Sequence, residues 1–206
     1  MLDMKGKLIV IEGSDGAGCG TQTELLKEKL NAKLSQPVLH IRYPNFNSPI
    51  GVTIHKFLHE ELQLTPDMQF FIYSLDMIKD MKEIRNALEG GRIVLADRYF
   101  TSTLAYQCSQ GFPIEKALKF ADLFDIVKPD LIIYLKVSAE TAMKRKQKEK
   151  VDLDLFERDL EFRKKVSKKY EELASKNIFG KWVIVDAEKT IEEVAKEIEI
   201  AVEKII

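Results

Sequence analysis

The chain has 206 residues, and its 32 Lys and Arg against 33 Asp and Glu give a formal net charge of −1. Hydrophobic residues make up 45% and charged residues 32% of the sequence, which excludes a disordered chain and predicts a single globular domain over residues 1–206. A general binder of nucleic-acid polymers would be markedly basic, so any phosphate chemistry in this chain has to be local.

The cysteine content and the N-terminus limit the compartment. Cys19 and Cys108 are the only two cysteines, and they form no C-x-x-C pattern, which excludes a disulfide scaffold and a cysteine-based zinc site. Reduced thiols and a cytoplasmic location are therefore predicted. Residues 1–7 lead into a short apolar run without a signal-peptide pattern. No apolar stretch approaches the ~20 residues that cross a bilayer, so no membrane partner is expected.

Short apolar, β-branched runs alternate with longer amphipathic segments along the chain. The runs are almost continuously apolar, as in strands that are buried on both faces. This alternation predicts an α/β fold with a five-stranded parallel sheet and right-handed crossovers. The predicted strands are residues 7–12, 37–42, 92–96, 130–136 and 181–185. The predicted helices are residues 19–34, 49–60, 66–89, 101–110, 114–126, 139–150, 155–177 and 190–205.

Several helix ends carry recognisable signals. Thr65-Pro66 predicts an N-cap followed by a proline in the first helical turn, and Gly90-Gly91 predicts the end of that helix. Residues 154–157 and 190–193 have the spacing of capping boxes. The basic run at residues 144–150 is either a solvated helix face or a flap that covers phosphates.

A glycine-rich segment, GSDGAGCGTQ at residues 13–22, stands between the first predicted strand and the first predicted helix. In such a turn backbone N–H groups converge on a phosphate, and the helix N-terminus adds about half a positive charge. The dinucleotide pattern GxGxxG fails because Thr21 stands at its last position. The nucleotide-kinase pattern GxxxxGK[ST] fits in its glycines, but Cys19 replaces the lysine and Gly20 replaces the hydroxyl residue. A glycine turn without a ligand is the alternative.

Asp97 and Arg98 end the third predicted strand, where α/β sheets bind ligands. The guanidinium of Arg98 is suited to clamping a phosphate, and the Asp97 carboxylate could hold a magnesium water or orient an acceptor phosphate. A structural ion pair between the two is the alternative. The glycine-rich segment on the first strand favours the interpretation as a site.

Val94–Gln107, with the sequence VLADRYFTSTLAYQ, resembles the signature of thymidylate kinases, which transfer a phosphoryl group from ATP to dTMP. The glycine-rich segment, Lys128–Leu131, Phe156–Glu157 and Val185–Ala187 are similar to further parts of that family, in the same order. The resemblance covers nearly the whole chain. It implies a three-layer P-loop kinase fold with a mobile lid at approximately residues 140–157, ATP and Mg²⁺ as cofactors, nucleotide substrates and a homodimer.

The resemblance also implies roles for individual residues. Tyr73 would stack on the base, and Tyr106 would pack on the sugar. The residues that would bind ATP are Gly13, Ser14, Asp15, Gly16, Ala17, Gly18, Cys19, Gly20 and Thr21. The residues that would bind the acceptor nucleotide are Arg42, Tyr43, Pro44, Tyr73, Met77, Arg98, Ser102, Thr103 and Tyr106. The residues that would be catalytic are Asp15, Asp97, Arg98, Lys144, Arg145 and Lys148. The residues that would hold the metal are Asp15, Asp97 and Thr21.

The chain departs from the family pattern at Cys19 and Gly20, and at Met77, where the family usually has an arginine that donates to the thymine carbonyl. Phe46 also stands where some relatives carry an arginine. Loss of a cation that faces phosphate should cost several kcal/mol of transition-state stabilisation unless another cation replaces it. Three hypotheses follow: a replacement cation from the lid, a kinase with altered base specificity, or a catalytically weakened nucleotide-binding homologue. The candidate lid cations are Lys144, Arg145, Lys146 and Lys148.

Cys19 has two interpretations. A thiol at a helix N-terminus is expected to have a lowered pKa and raised reactivity, which suggests a redox-sensitive switch together with Cys108. The alternative is a small residue that fills space.

Overall fold

The computed structural model describes residues 6–149 and 153–206 and contains one five-stranded parallel sheet. Residues 1–5 and 150–152, which include the start of the chain and part of the predicted lid, lie outside the described residues. The strands are β1 (Lys7–Gly13), β2 (Leu39–Arg42), β3 (Ile93–Asp97), β4 (Leu131–Lys136) and β5 (Trp182–Asp186). Their order in the sheet is β2-β3-β1-β4-β5, which confirms the predicted α/β fold class.

Helices connect successive strands and cover both faces of the sheet. Those between β1 and β3 are α1 (Cys19–Lys33), α2 (Pro49–Leu58), α3 (Pro66–Ile78) and α4 (Met81–Glu89). Those after β3 are α5 (Phe100–Ser109), α6 (Ile114–Leu123), α7 (Ala139–Glu149), α8 (Leu155–Arg158), α9 (Leu160–Ser175) and α10 (Ile191–Val202). Within the described residues, no helix is both long enough and apolar enough to pass through a membrane.

The core has two halves because the central strands are buried on both faces. Leu26 of α1 and Ile198 of α10 pack on one face of the sheet. Phe70 of α3 and Tyr170 of α9 belong to the core on the opposite face. This arrangement gives the three layers expected from strands that are apolar along their whole length.

Two predicted helices divide in the structure. The prediction of one helix over residues 66–89 is wrong, because α3 ends at Ile78 and α4 begins at Met81. At this interruption the Asp80 carboxylate accepts from the Tyr43 hydroxyl at 2.9 Å. The prediction of one helix over residues 155–177 is also wrong. Asp159 has an extended backbone there, and its side chain caps α9 by accepting from the Phe162 N–H at 2.9 Å.

Both predicted capping boxes are present, at residues 154–157 and 190–193. The Thr65 side chain caps α3 by accepting from the Met68 N–H, and Pro66 occupies the first turn as predicted. Gly90 follows the last residue of α4. Short polar side chains therefore marked the starts of these helices correctly, even where the predicted helix length was wrong.

The register of the sheet determines which residues meet at its carboxyl edge. Asp97 pairs with Ile11 of β1 and with Arg42 of β2. Gly13 ends β1 two residues after Ile11. The glycine-rich segment, Arg42 and Asp97 are thus brought to one edge of the sheet.

Candidate functional site

A cavity of about 740 Å³ lies at this edge, which is a size that suits a small-molecule ligand. Its walls come from the glycine-rich segment, the loop after β2, α3, the start of α5, and the described part of the predicted lid, where Lys146, Asp154, Phe156 and Glu157 line it. The predicted site residues that line it are Asp15, Arg42, Tyr43, Pro44, Tyr73, Met77, Arg98, Ser102, Thr103 and Tyr106.

The glycine-rich segment forms a tight turn that ends at the N-terminus of α1. Gly16 has φ +87°, and a Cβ there would lie 2.2 Å from the carbonyl oxygen of Ala142 in α7. Gly18 has φ +96° and occupies the N-cap position of α1, where it offers no side chain to the first N–H groups of the helix. Those N–H groups are suited to binding a phosphate. Thr21 is exposed in the first turn of the same helix.

Cys19 is packed beneath the turn and is 7% exposed. A Cβ on Gly13 would lie 3.0 Å from its Sγ. Burial raises the pKa of the Cys19 thiol far above its usual range, so the prediction of a lowered pKa is wrong. Desolvation of the thiolate outweighs the field of the helix N-terminus. Cys108 is half-buried, is absent from the cavity lining, and has a pKa that burial raises to about 11, so neither thiol is activated.

Asp15, Arg98 and Tyr106 form a connected group at the cavity wall. Arg98 Nη2 donates to Asp15 Oδ1 at 2.7 Å, and the Tyr106 hydroxyl donates to Asp15 Oδ2 at 2.8 Å. Burial opposes ionisation of Asp15, but Arg98 and the Tyr106 hydrogen bond hold its pKa below the usual value. Arg98 Nη1 lies 3.4 Å from the Ser102 hydroxyl, at the limit of a hydrogen bond. The guanidinium can therefore bind an anion without leaving Asp15.

The backbone of Arg98 is in the left-handed region, with φ 67°. Such a conformation costs a non-glycine residue roughly 1–3 kcal/mol, and it persists when the surrounding structure compels it. The Arg98 N–H donates to the carbonyl of Ile11 at 2.9 Å, and the side chain is held by Asp15. The strand β3 therefore ends in a turn that aims this guanidinium at the glycine-rich segment.

Asp97 forms its ion pair with Arg42 of β2, at 3.0 Å between Oδ2 and Nε, and not with its sequence neighbour Arg98. A Cβ on Gly20 would lie 3.2 Å from Arg42 Nη2 and 3.5 Å from Asp97 Oδ2. The absence of a side chain at Gly20 thus leaves space for the pair. Burial raises the pKa of Asp97, although Arg42 acts in the opposite direction.

Glu12 is a structural centre of the site that the sequence analysis did not identify. Its fully buried carboxylate accepts from the Tyr99 N–H at 3.0 Å and from the hydroxyls of Thr101 at 2.5 Å, Ser102 at 2.6 Å and Tyr170 at 2.8 Å. Burial raises its pKa even though Ser102 and Thr101 donate to it. Glu12 therefore joins β1 to the start of α5. The sequence signal that could have identified Glu12 is a carboxylate at the end of an apolar strand.

Gln107 is a second residue that the sequence analysis left without a role. It lies in α5, lines the cavity and is 1% exposed. Neither its amide nitrogen nor its amide oxygen has a hydrogen-bond partner among the described residues. Because buried amides are normally satisfied, this one is available to a ligand. Met77 and Thr103, both buried, and half-buried Tyr73 line the same cavity.

The basic side chains of the predicted lid differ in their contacts and in whether they line the cavity. Arg145 Nη2 donates to the carbonyl of Ala187 at 2.9 Å. Lys144 and Lys148 are exposed and do not line the cavity, whereas Lys146 lines it and lies 3.7 Å from a Glu157 carboxylate oxygen.

Arg163 of α9 is a cation that the sequence analysis missed. It donates from Nη2 to the carbonyl of Asp15 and from Nη1 to the carbonyl of Glu157 at 3.3 Å. It therefore contacts the glycine-rich segment directly. Its position among other basic residues of α9 gave no signal.

Comparisons with known proteins agree on one family. A family model for thymidylate kinase matches residues 11–198. A probable thymidylate kinase from Methanocaldococcus jannaschii is 35% identical over 191 residues, covering 92% of each chain. A thymidylate kinase from Caldicellulosiruptor saccharolyticus is 33% identical over 202 residues, covering 95% of each chain. One from Dictyostelium discoideum is 30% identical over 194 residues, covering 94% of this chain and 83% of its own.

Proposed function

The chain belongs to the thymidylate kinase family, and from that premise we propose how its own residues carry out the reaction of dTMP with ATP to give dTDP and ADP. The protein is a nucleoside-monophosphate kinase, a phosphotransferase. The single observation that carries the assignment of roles is the cavity in which the glycine-rich segment meets Arg98. Phosphoryl transfer depends mainly on positioning the substrates and on neutralising their charge. The glycine-rich segment and Arg98 can do both.

On the donor side, the N–H groups at residues 16–20 would bind the phosphates of ATP. The available carboxylates fit a magnesium ion unequally. Both carboxylate oxygens of Asp15 already accept hydrogen bonds, whereas the ion pair of Asp97 uses Oδ2. Asp97 is therefore the better candidate to hold Mg²⁺ or one of its waters. When bound, Mg²⁺ would neutralise phosphate charge.

On the acceptor side, Arg98 would bind the phosphate of dTMP. Its Nη2 stays on Asp15, while Nη1, whose contact with the Ser102 hydroxyl is long, can donate to a phosphate oxygen. Tyr106 is fixed by the same carboxylate and would pack against the sugar. Arg42, exposed beside Asp97, would stand between donor and acceptor phosphates.

The base would occupy the part of the cavity that is lined by Tyr73, Met77, Thr103 and Gln107. The carboxamide of Gln107 offers one donor and one acceptor, which match the O4 and N3–H of thymine. Tyr73 supplies an aromatic surface for stacking. Met77 contributes apolar contact where an arginine would donate a hydrogen bond.

A second candidate function, phosphorylation of dCMP, is favoured by the same amide. Rotation of a carboxamide by 180° exchanges its donor and acceptor, and the rotated group matches N3 and the N4 amino group of cytosine. With methionine at position 77, no cation at that position penalises the cytosine amino group. A site that reads the base through Gln107 alone would discriminate weakly between the two pyrimidines.

These two functions are separated by product analysis. The purified protein would be incubated with Mg-ATP and with each of dTMP, dUMP, dCMP, UMP and CMP, and the diphosphates separated by chromatography. We expect dTDP and ADP in equal amounts, with dCDP as the next product. Binding of dTMP and ATP without any diphosphate would instead support the catalytically weakened homologue.

The quaternary structure we propose is a homodimer. The α3–α6 face, defined by residues 46% to 76% exposed, consists of Met68, Phe71, Leu75, Leu123 and Phe124. Half-buried Phe120 connects the two helices, with ring centroids 6.0 Å from Phe71 and 4.5 Å from Phe124. A contiguous apolar patch of this kind is typical of a protein interface.

For the cellular location we propose the cytoplasm. The two unpaired cysteines suit its reducing conditions.

A further inference from the structure

Arg163 is a buried cation to which the mechanism above gives no role. It lies in the first turn of α9 and is 3% exposed. A buried charge is costly unless it is paired and hydrogen-bonded, so its surroundings should show what compensates it. A carboxylate that forms an ion pair with it is one such compensating group.

No carboxylate forms an ion pair with Arg163 within residues 6–149 and 153–206. Its two hydrogen bonds go to backbone carbonyls, those of Asp15 and Glu157. Its Nε is buried, and the described residues provide it with no acceptor. The guanidinium is thus hydrogen-bonded only to backbone carbonyls, and the Asp15 carboxylate, which is already paired with Arg98, interacts with its charge without a direct contact.

The other cations around the glycine-rich segment differ in this respect. Arg98 is paired with Asp15, and Arg42 with Asp97. Lys146 lies 3.7 Å from Glu157. Among these four basic residues, Arg163 is the one that forms no direct ion pair with a described carboxylate.

The contact with Asp15 connects Arg163 to phosphate binding. The carbonyl of Asp15 belongs to the same peptide group as the N–H of Gly16, inside the turn. A charged donor on that carbonyl polarises the peptide group and strengthens the N–H as a donor. The guanidinium also adds a full positive charge beside a turn in which Cys19 is an uncharged thiol, and it helps to lower the pKa of Asp15.

We propose that Arg163 supplies the buried positive charge that the glycine-rich segment lacks at Cys19, and that it acts as a positioning residue through the Asp15–Gly16 peptide group. The proposal rests on the proposed function. Its second hydrogen bond, to the carbonyl of Glu157 in α8, also connects this charge to the predicted lid. The position normally occupied by a lysine of the turn is thus served from a helix about 150 residues further along the chain.

The test compares charge with shape at position 163. Arg163→Gln removes the charge, Arg163→Lys keeps it, and Lys165→Gln removes an equal charge from an exposed position of the same helix. We expect Arg163→Gln to lower kcat roughly 100-fold or more with little change in the KM for dTMP, because it weakens stabilisation of the transferred phosphoryl group. Arg163→Lys should stay within about tenfold of the wild type, and Lys165→Gln should match the wild type.

Restoring activity with a second substitution distinguishes a role of the charge from a purely structural role of Arg163. Adding Cys19→Lys to Arg163→Gln should restore kcat at least about tenfold, because a lysine in the turn replaces the missing charge. Equal kcat in Arg163→Gln and Lys165→Gln would overturn the proposal. A loss of about 100-fold or more in Arg163→Lys would also overturn it, and this measurement against the wild type does not need the glutamine variant to fold.

Binding separates this proposal from the proposed function. Titration calorimetry with Mg-ADP needs no turnover, and Arg163→Gln should weaken that binding at least about tenfold while Lys165→Gln leaves it unchanged. A wild-type protein that forms no dTDP would contradict the proposed function, and the calorimetric comparison would still decide the role of Arg163.

Discussion

Arg98 and Asp15 hold each other at the cavity wall, and their charges are interdependent. The pKa of the Asp15 carboxyl lies below its usual value because Arg98 and the Tyr106 hydrogen bond stabilise its ionised form, although burial acts in the opposite direction. A folded pKa below the unfolded value means that the folded protein binds fewer protons. The stabilisation is therefore fully present above about pH 5 and is lost as pH falls through the folded pKa.

Asp15→Asn should make this dependence visible. At pH 7 we expect the variant to be less stable by roughly 1–3 kcal/mol, the range for hydrogen bonds to charged groups. The difference from the wild type should begin to shrink as pH falls below about 5 and should disappear only below the folded pKa of Asp15, where both proteins carry a neutral side chain. Urea unfolding followed by circular dichroism at pH 7, 5, 4 and 3 measures it. A difference that is independent of pH would contradict the assignment.

Gln107 allows a residue-scale test of base recognition. Gln107→Leu should lower kcat/KM roughly 10- to 100-fold for dTMP and by a similar factor for dCMP, because one amide serves both bases. Steady-state kinetics with the two nucleotides measures both values. Gln110→Leu is the matched control, since the Gln110 amide donates to Gln69 at 2.7 Å outside the cavity. A loss for dTMP alone would sink the dCMP proposal.

Residues of the site differ in how far they could be predicted. Asp97 and Arg98 were accessible from sequence because they end a strand within a recognisable motif. Glu12, Gln107 and Arg163 were not, because their importance depends on burial and on which polar atoms are left without partners. Those properties arise from tertiary packing, and no local pattern encodes them. The pKa of Cys19 was predicted in the wrong direction for the same reason, since the depth of its burial decides it, whereas the alternative of a small space-filling residue agrees with that burial.

At the scale of elements, α10 supports the helix that follows the glycine-rich segment. Gln22 of α1 donates from Nε2 to the carbonyl of Ile191 at 3.0 Å, at the start of α10. The capping box of Thr190 and Glu193 fixes that start. Removing this cap should therefore lower the free energy of unfolding of the protein without changing its kcat.

Thr190→Ala should lower the free energy of unfolding by about 1 kcal/mol, because the first turn of α10 loses its side-chain acceptor. Thr190→Ser keeps the hydroxyl and should be close to the wild type. Urea denaturation of the two variants measures the difference, and kcat should be unchanged in both. Equal stability of the alanine and serine variants would refute the role of the cap.

The existence of the elements was predictable, and their ends were less so. Strand positions shifted by one or two residues because apolar runs do not mark where hydrogen bonding begins. The divisions at Lys79–Asp80 and at Asp159 depend on side-chain hydrogen bonds, one of them to Tyr43 in a distant loop. Periodicity alone describes a continuous helix through both positions.

At the scale of the whole molecule, the α3–α6 face predicts association. Phe71→Glu places a charge in the centre of that face and should raise the dimer dissociation constant at least ~30-fold, the effect of losing a residue worth about 2 kcal/mol at an interface. Sedimentation velocity over a concentration series measures it. Ile200→Glu, on an exposed position of α10, is the matched control. A wild-type protein that stays monomeric at all concentrations would contradict the dimer.

The proposed mechanism requires phosphoryl transfer without a lysine in the glycine-rich segment. The most direct test is kcat of the wild-type protein for dTMP at saturating Mg-ATP, measured as initial dTDP formation by chromatography. If Arg98, Asp97 and Arg163 carry the charge stabilisation, kcat should fall in the ordinary kinase range of about 1–100 s⁻¹. A kcat below about 10⁻³ s⁻¹ with both nucleotides bound would mean that more than about 4 kcal/mol of stabilisation is missing, and would contradict the account.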